Sequence, residues 1–448
     1  MLEIISLIPI VGPTLATLLP FVVVIAIVVA VHEYGHYIVG RWCGIHAEVF
    51  SIGFGREFIG RVDKRGTRWR ISVLPLGGYV RFQGDMSAAS VGASDLTALD
   101  ANERQRSFAG APLWARSATI AAGPVANFIL SILVYSGFVM AIGVSTNAPV
   151  IGEIPPSVVA ETPLQTGDRV LSVDGAPMET FTDVLLATSD GPGPYAVSVE
   201  RDGSVVALTL NNPRPPLVVG VRPLSAASRA GIEADDLILT VDGAPTPDFD
   251  SLKAHVTAAE GREIQVSVRR GDAVLSLHMR PTLQDVQLAD GSYTKQVIIG
   301  VSIRSYLTPL TVTPGVFSAI GYGAQQTWSI VTNSLDGIRQ VIVGNVSAEN
   351  LQGPVGIAQV SGETAQRSGV EFIALIALIS TAIGLMNLLP IPMLDGGHLL
   401  FNLYEAFAGK QPPGRVQEIA AALGLATVLS LMLFVTYNDI ARLLNSFT

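Results

Sequence analysis

Apolar residues run almost unbroken through four stretches of the chain, around residues 14–37, 117–142, 372–390 and 419–437. A helix needs roughly 20 such residues to cross a bilayer, so the pattern predicts four transmembrane helices. Pro13 and Pro20 blur the start of the first. Between the second and third the periodicity changes. "YAVSVERDGSVVALTL" (195–210) and "IQVSVRRGDAVLSLHM" (264–279) alternate apolar and polar positions on either side of a charged turn, which is the pattern of β-hairpins. "RVLSVDGAP" (169–177) and "LILTVDGAP" (237–245) form an internal repeat, with Asp174-Gly175 and Asp242-Gly243 as tight turns between short strands. Two copies are too few for a solenoid, so two small tandem β-rich domains are predicted.

Three further stretches complete the pattern. "RWRISVLPLGGYVRFQG" (68–84) reads as a β-hairpin bent at Pro75-Leu76-Gly77-Gly78. Residues 86–107, rich in Ala, Ser and charge, read as a cytoplasmic loop. From 312 to 371 apolar residues recur every three or four positions in only partly apolar text, which predicts amphipathic helices at the membrane surface. The fold class is therefore a multi-pass α-helical membrane protein with two β-rich domains and a β-hairpin associated with the membrane. Its expected domains are 1–142 (helices 1 and 2 with the hairpin), 143–213, 214–285, 286–371 (linker and surface helices) and 372–448 (helices 3 and 4).

Composition agrees. The chain has 448 residues, 49% hydrophobic and only 15% charged, with a mean hydropathy of +0.46. A net charge of −9 leaves no basic face for nucleic acid. The single cysteine, Cys43, excludes an internal disulfide framework and a Cys-based zinc site. Residues 1–31 hold no Lys or Arg, so the first stretch reads as a retained helix rather than a signal peptide. Lys and Arg cluster between Arg41 and Arg116, and Lys410 and Arg415 lie between the third and fourth stretches. Positive charge marks the cytoplasmic side, so residues 41–116 and the 391–418 loop are expected there. Both termini and the 143–371 segment then lie on the opposite side.

The chemistry is concentrated in "HEYGH" (32–36), at the end of the first apolar stretch. On a helix, positions i and i+4 share a face, so His32 and His36 can reach one ion. Glu33 stands beside the first ligand, placed to take a proton from the attacking water. The competing interpretation has both histidines snorkelling at a helix end and Glu33 pairing with Arg41. Ionisable groups beside a long apolar run are costly, which favours function.

A catalytic zinc site normally has a third protein ligand. His46 does not fit the spacing. "MNLLPIPMLDGGHLL" (386–400) interrupts the third stretch with Asn387, Pro390, Pro392, Asp395 and Gly396. Broken helix at membrane depth must be buried in protein or face a cavity. Asp395 there calls for a cation, so it is the expected third ligand, with His398 as its rival.

These motifs resemble the site-2 protease family of intramembrane zinc metalloproteases, in its regulator-of-sigma-E protease subgroup. HExxH and "NLLPIPMLDG" (387–396) carry the resemblance. So do "SIGFG" (51–55), "PLGGYVRF" (75–82), "AAGPVAN" (121–127), "LQGPVGIA" (351–358) and the repeat, which is similar to a tandem PDZ pair. The resemblance implies Zn2+ held by His32, His36 and Asp395, with Glu33 as general base. It implies that Asn387 and Pro390 belong to a substrate-binding or transition-state site. Gly77, Gly78 and Tyr79 would then lie in a membrane-reentrant β-element that pairs with an unwound substrate.

The implied substrate is the transmembrane segment of a pre-trimmed single-pass protein, such as an anti-sigma factor, and remnant signal peptides also qualify. The implied setting is the bacterial cytoplasmic (inner) membrane, in contact with lipid, with periplasmic PDZ domains that bind peptide ends or act as a size filter. No pattern argues for an obligate oligomer, and Gly and Pro at 353–356 mark a candidate hinge. Two other interpretations stay open. One is a catalytically idle membrane scaffold that captures peptides through its PDZ repeats. The other is a membrane-tethered zincin acting on soluble substrates.

Overall fold

The computed structural model describes residues 12–84, 104, 106–155, 158–159, 162–189, 193–211, 213–287, 293–303, 305–348 and 351–445. Most of the 86–107 loop lies outside the described residues. In chain order, helix α1 (Gly12–Trp42) is followed by strands β1 (Ala47–Val62) and β2 (Arg68–Phe82), then α2 (Leu113–Ile142) and β3 (Val144–Ser145). Next come β4 (Arg169–Val173), β5 (Ala176–Pro177), α3 (Phe181–Ala187), β6 (Tyr195–Arg201) and β7 (Ser204–Leu210). After them stand β8 (Val218–Val221), α4 (Ala226–Ala230), β9 (Leu237–Val241), β10 (Ala244–Pro245), α5 (Phe249–Ala258), β11 (Ile264–Arg270) and β12 (Ala273–Met279). Four short strands follow: β13 (Thr282–Gln287), β14 (Tyr293–Ile298), β15 (Val301–Ile303) and β16 (Thr311–Val312). The chain closes with α6 (Val316–Val343), α7 (Pro354–Arg367), α8 (Gly369–Leu388), α9 (Asp395–Ala408) and α10 (Gly414–Asn445). Two compact units result, Met1–Phe138 with Val316–Thr448, and Val139–Gly315.

In the first unit, α1, α2, α8 and α10 contain segments long and apolar enough to cross a membrane: Thr14–Trp42, Leu113–Ile142, Gly369–Leu388 and Gly414–Arg442. Small residues let the helix backbones approach. A side chain at Gly35 would overlap the Ala122 carbonyl, and one at Gly384 would crowd Pro124 O at 3.2 Å. Polar side chains then tie α2 to α8. Ser131 donates to the Ala377 carbonyl (2.7 Å), Ser380 to the Asn127 carbonyl (2.9 Å) and Thr381 to Ser131 Oγ (2.8 Å). Where apolar contact alone gives helices no preference over lipid, such bonds and close packing hold them together.

The β1–β2 element differs from the expected hairpin within 68–84. The two halves of 68–82 do not pair with each other; both pair with β1. Val62 and Ile59 face Arg68 and Ile71, while Phe50 and Ile52 face Val80 and Gly78. The turn lies at 63–67, where the Asp63 carboxylate accepts from the backbone N–H groups of Arg65 (2.8 Å) and Thr67 (3.0 Å). The sequence reading missed β1 because Gly53 and Gly55, both with positive φ, look like strand breakers.

In the second unit the repeat is real in three dimensions. Two four-stranded sheets have equivalent orders, β5-β4-β6-β7 and β10-β9-β11-β12. Asp174-Gly175 and Asp242-Gly243 occupy positive-φ turns, as expected. Each sheet also holds a matching ion pair: Arg201 grips the buried Asp168 carboxylate through Nε (2.7 Å) and Nη2 (2.6 Å), and Arg270 grips Asp236 at 2.7 Å through both nitrogens. Asp235, which stands where the first copy has Gly167, adopts the same left-handed backbone (φ 68° against 95°).

The expected linker at 286–371 divides differently. β13 pairs with β14 across the 285/286 boundary, and β15 pairs with β8. Tyr306 and Leu307 join the apolar core of the first sheet. The helix expected at the membrane surface, α6, buries Ala319, Gly323, Thr327 and Val331, with Gly323 against Ser136 and the Ile132 carbonyl of α2. Those four residues recur every fourth position, so they form one buried stripe along α6, and Gly323 within it meets α2.

Candidate metal centre

HEYGH lies well inside α1, so helical geometry brings His32 and His36 onto one face. Asp395 arrives from a break in the chain. Helix α8 ends at Leu388, Met393 takes a positive φ of 86°, and α9 starts at Asp395. The break is tightly packed. Side chains at Gly396 or Gly397 would overlap the carbonyls of Leu388, Leu389 and Ile391, so only glycine permits this path. Helix α9 is anchored to α2 by a paired hydrogen bond from the Arg116 guanidinium to Glu405 (2.6 and 3.1 Å) and by Asn402 on Ser117 (3.0 Å).

The three side chains meet. His32 Nε2 lies 3.1 Å from His36 Nε2 and 3.2 Å from Asp395 Oδ2, and the third edge of the triangle is 3.5 Å. A tetrahedral ion with bonds of about 2.0–2.1 Å holds its ligand atoms roughly 3.3–3.4 Å apart. Among the described residues, Asp395 Oδ2 has no polar partner within 3.5 Å other than the two imidazoles, so it has lone pairs to give. His36 Nδ1 lies 2.8 Å from the Thr119 carbonyl. A carbonyl only accepts, so that nitrogen carries the proton and Nε2 is left with a lone pair facing the other two residues. The group can hold a metal ion, and two nitrogens with one oxygen are a fitting donor set for zinc.

A cavity of about 790 Å3 opens over the triangle, and Glu33, Asn387, Gly77, Gly78 and Tyr79 line it. The strand Gly78–Phe82 runs beside α1, with the Val80 backbone N–H toward the Glu33 carboxylate. Gly78 is needed for this approach: a Cβ there would fall 2.7 Å from Ser51 O and 3.2 Å from Glu33 Cγ. Tyr79 stacks on Phe54 and accepts a hydrogen bond from Arg70. Asn387 Nδ2 lies 3.4 Å from His32 Nε2.

Pro390 is exposed and is not among the lining residues. His398 lines the cavity but stacks edge-on against Phe401 and is outside the metal-binding group. His46 lies beside Arg41 instead.

Two residues escaped the sequence reading. Gly123 of α2 faces the histidines so closely that a side chain there would overlap His36 Nε2 and sit 2.8 Å from His32 Cε1. Asn127, one turn on, is wholly buried against His32. The available signal was an amide within an apolar span, a costly placement without a partner.

Histidines one turn apart, a carboxylate from a distant helix break and a glutamate beside the first histidine define the site class of a zinc metalloprotease. The chain belongs to peptidase family M50, whose family model matches residues 20–431. A protein of Agrobacterium fabrum whose name describes it as a zinc metalloprotease is 35% identical over 431 residues, covering 95% of this chain and 96% of that one. The regulator of sigma-E protease RseP of Escherichia coli is 32% identical over 455 residues (94% and 98%). The Salmonella typhi regulator of sigma E protease is 33% identical over 458 residues, with the same coverage. This chain is a zinc metalloprotease of the site-2 protease type.

Proposed function

We propose that the protein is an intramembrane endopeptidase of the bacterial cytoplasmic membrane, with His32, His36 and Asp395 as zinc ligands and Glu33 as general base. One observation carries the reading: both histidines lie on a helix apolar enough to span a bilayer, Asp395 follows the break at the end of another, and the cavity beside them is walled by a β-strand. Bound zinc supplies a Lewis acid that makes water a nucleophile near neutral pH and polarises a peptide carbonyl. Glu33 takes the proton from the attacking water and returns it to the departing amide nitrogen. Asn387 offers its amide N–H to the oxygen on which charge develops.

A transmembrane helix hides its peptide bonds, so the substrate must unwind before it is cut. The strand Gly78–Phe82 pairs with β1 through residues 47–52, and its other side runs along the cavity with Gly77, Gly78, Tyr79 and Val80. It is suited to satisfy the freed backbone by strand addition. The substrate in this reading is a single-pass protein already trimmed outside the membrane, an anti-sigma factor being the type that the family resemblance implies, with remnant signal peptides as a second group. The two repeats act as periplasmic PDZ domains that exclude intact substrates or hold peptide ends, and the enzyme works as a monomer.

Mass-spectrometric mapping of the cut in a pre-trimmed single-pass substrate tests the proposal. Cleavage inside the apolar segment supports it. Cleavage only in soluble flanking sequence favours the tethered zincin, and zinc-bound protein that cuts neither is the idle scaffold.

A further inference from the structure

We infer that Asn127 of α2 is the positioning residue of the zinc site, holding the His32 imidazole in its metal-binding form through its side-chain carbonyl. The inference rests on the ligand assignment above. Each imidazole that gives Nε2 to a metal keeps its proton on Nδ1, and that N–H needs an acceptor. For His36 the acceptor is the Thr119 carbonyl. For His32 it is the Asn127 amide, whose Nδ2 lies 3.3 Å from Nδ1. Asn127 is 0% exposed, and its Oδ1 is buried with no hydrogen-bond partner among the described residues.

The amide is fixed by its own backbone. The Asn127 carbonyl accepts from Ser380 of α8 (2.9 Å), and Gly384 of α8 packs so closely that a Cβ on it would fall 3.2 Å from Asn127 Cβ. Only rotation of the side chain remains. With Nδ2 toward His32, the amide donates to Nδ1, and Nε2 carries the proton toward Asp395, 3.2 Å away. A half-turn puts Oδ1 there instead, to accept the Nδ1 proton, and frees the Nε2 lone pair for zinc. One amide thus serves both tautomers, and the metal-bound form uses its oxygen.

Asparagine and aspartate differ here in a useful way. A carboxylate only accepts, so it can support the metal-binding tautomer alone. The test is zinc affinity, measured by chelator competition on the full-length protein in detergent, beside the melting temperature of the zinc-stripped form. Asn127→Leu should weaken zinc binding by about 10- to 100-fold, the usual effect of losing a ligand's outer partner. Asn127→Asp, nearly isosteric, should bind zinc as tightly as the parent or more tightly.

Parental affinity in Asn127→Leu would overturn the inference. So would a tenfold loss in Asn127→Asp, which decides the matter even if the leucine variant does not fold. His32→Ala is the control for the site itself. If it retains zinc, the ligand assignment fails; if it loses zinc while Asn127→Leu does not, only the role of Asn127 fails.

Discussion

His32 Nε2 stands 3.2 Å from Asp395 Oδ2, although one belongs to the first apolar helix and the other to the break after the third. With His36 protonated on Nδ1, three lone-pair atoms can face one another, an arrangement that a cation stabilises. Asp395→Ala should therefore lose zinc at least tenfold in a metal assay of purified protein, because a catalytic zinc is normally held by three protein ligands and the variant keeps two. Full zinc occupancy in that variant would remove Asp395 from the site.

Gly123→Ala separates helix propensity from site geometry. Alanine stabilises a helix interior by about 1 kcal/mol over glycine, yet here the new methyl would overlap His36 Nε2. Zinc affinity should fall at least tenfold because the imidazole is displaced. Chelator competition checks this, and parental affinity would mean that the histidines can move aside freely.

Asp168 and Arg201 make a prediction about acid stability. Burial pushes the Asp168 carboxyl upward, but the Arg201 guanidinium and the Gln165 N–H outweigh it and hold the group below its ordinary range. A carboxylate lowered on folding contributes stability that is complete above its unfolded pKa, about 3.9, and is lost as pH falls through the lower folded value. The first β-rich domain should lose stability below about pH 4. Arg201→Ala should cost roughly 3–5 kcal/mol at neutral pH by leaving a buried carboxylate without its cation. Denaturant melts at pH 7 and pH 3 read both, and the variant's difference from the parent should shrink in acid.

Asp439 of α10 accepts hydrogen bonds from the backbone N–H groups of Gly353 (3.1 Å) and Gly356 (2.8 Å), capping α7 from another helix. Gly353 itself has no side chain for that purpose. Asp439→Ala should expose two orphan donors at a cost of about 1–3 kcal/mol. Hydrogen exchange at 353–357 should quicken, with no change in zinc content.

Much of this was legible in the sequence because its signals are local or expensive. The spacing of His32 and His36 needs only helical periodicity, and Asp395 is conspicuous at a helix break in apolar text. The paired repeats show through alternation and Asp-Gly turns. What escaped was non-local. Both halves of 68–82 find their partners in β1, and Gly53 and Gly55 conceal that strand. Strands β13 to β15 are short and polar, so they read as linker until their pairing is seen. Asn127 and Gly123 sit in apolar helix text, and their meaning comes only from the histidines across from them.

The most direct measurement of the central claim compares the zinc-loaded parent with Glu33→Gln on a pre-trimmed single-pass substrate in detergent or proteoliposomes. The variant should hold zinc as the parent does while cleavage falls by about 10²- to 10⁴-fold, the usual contribution of a general base. Equal cleavage by both proteins would contradict the account.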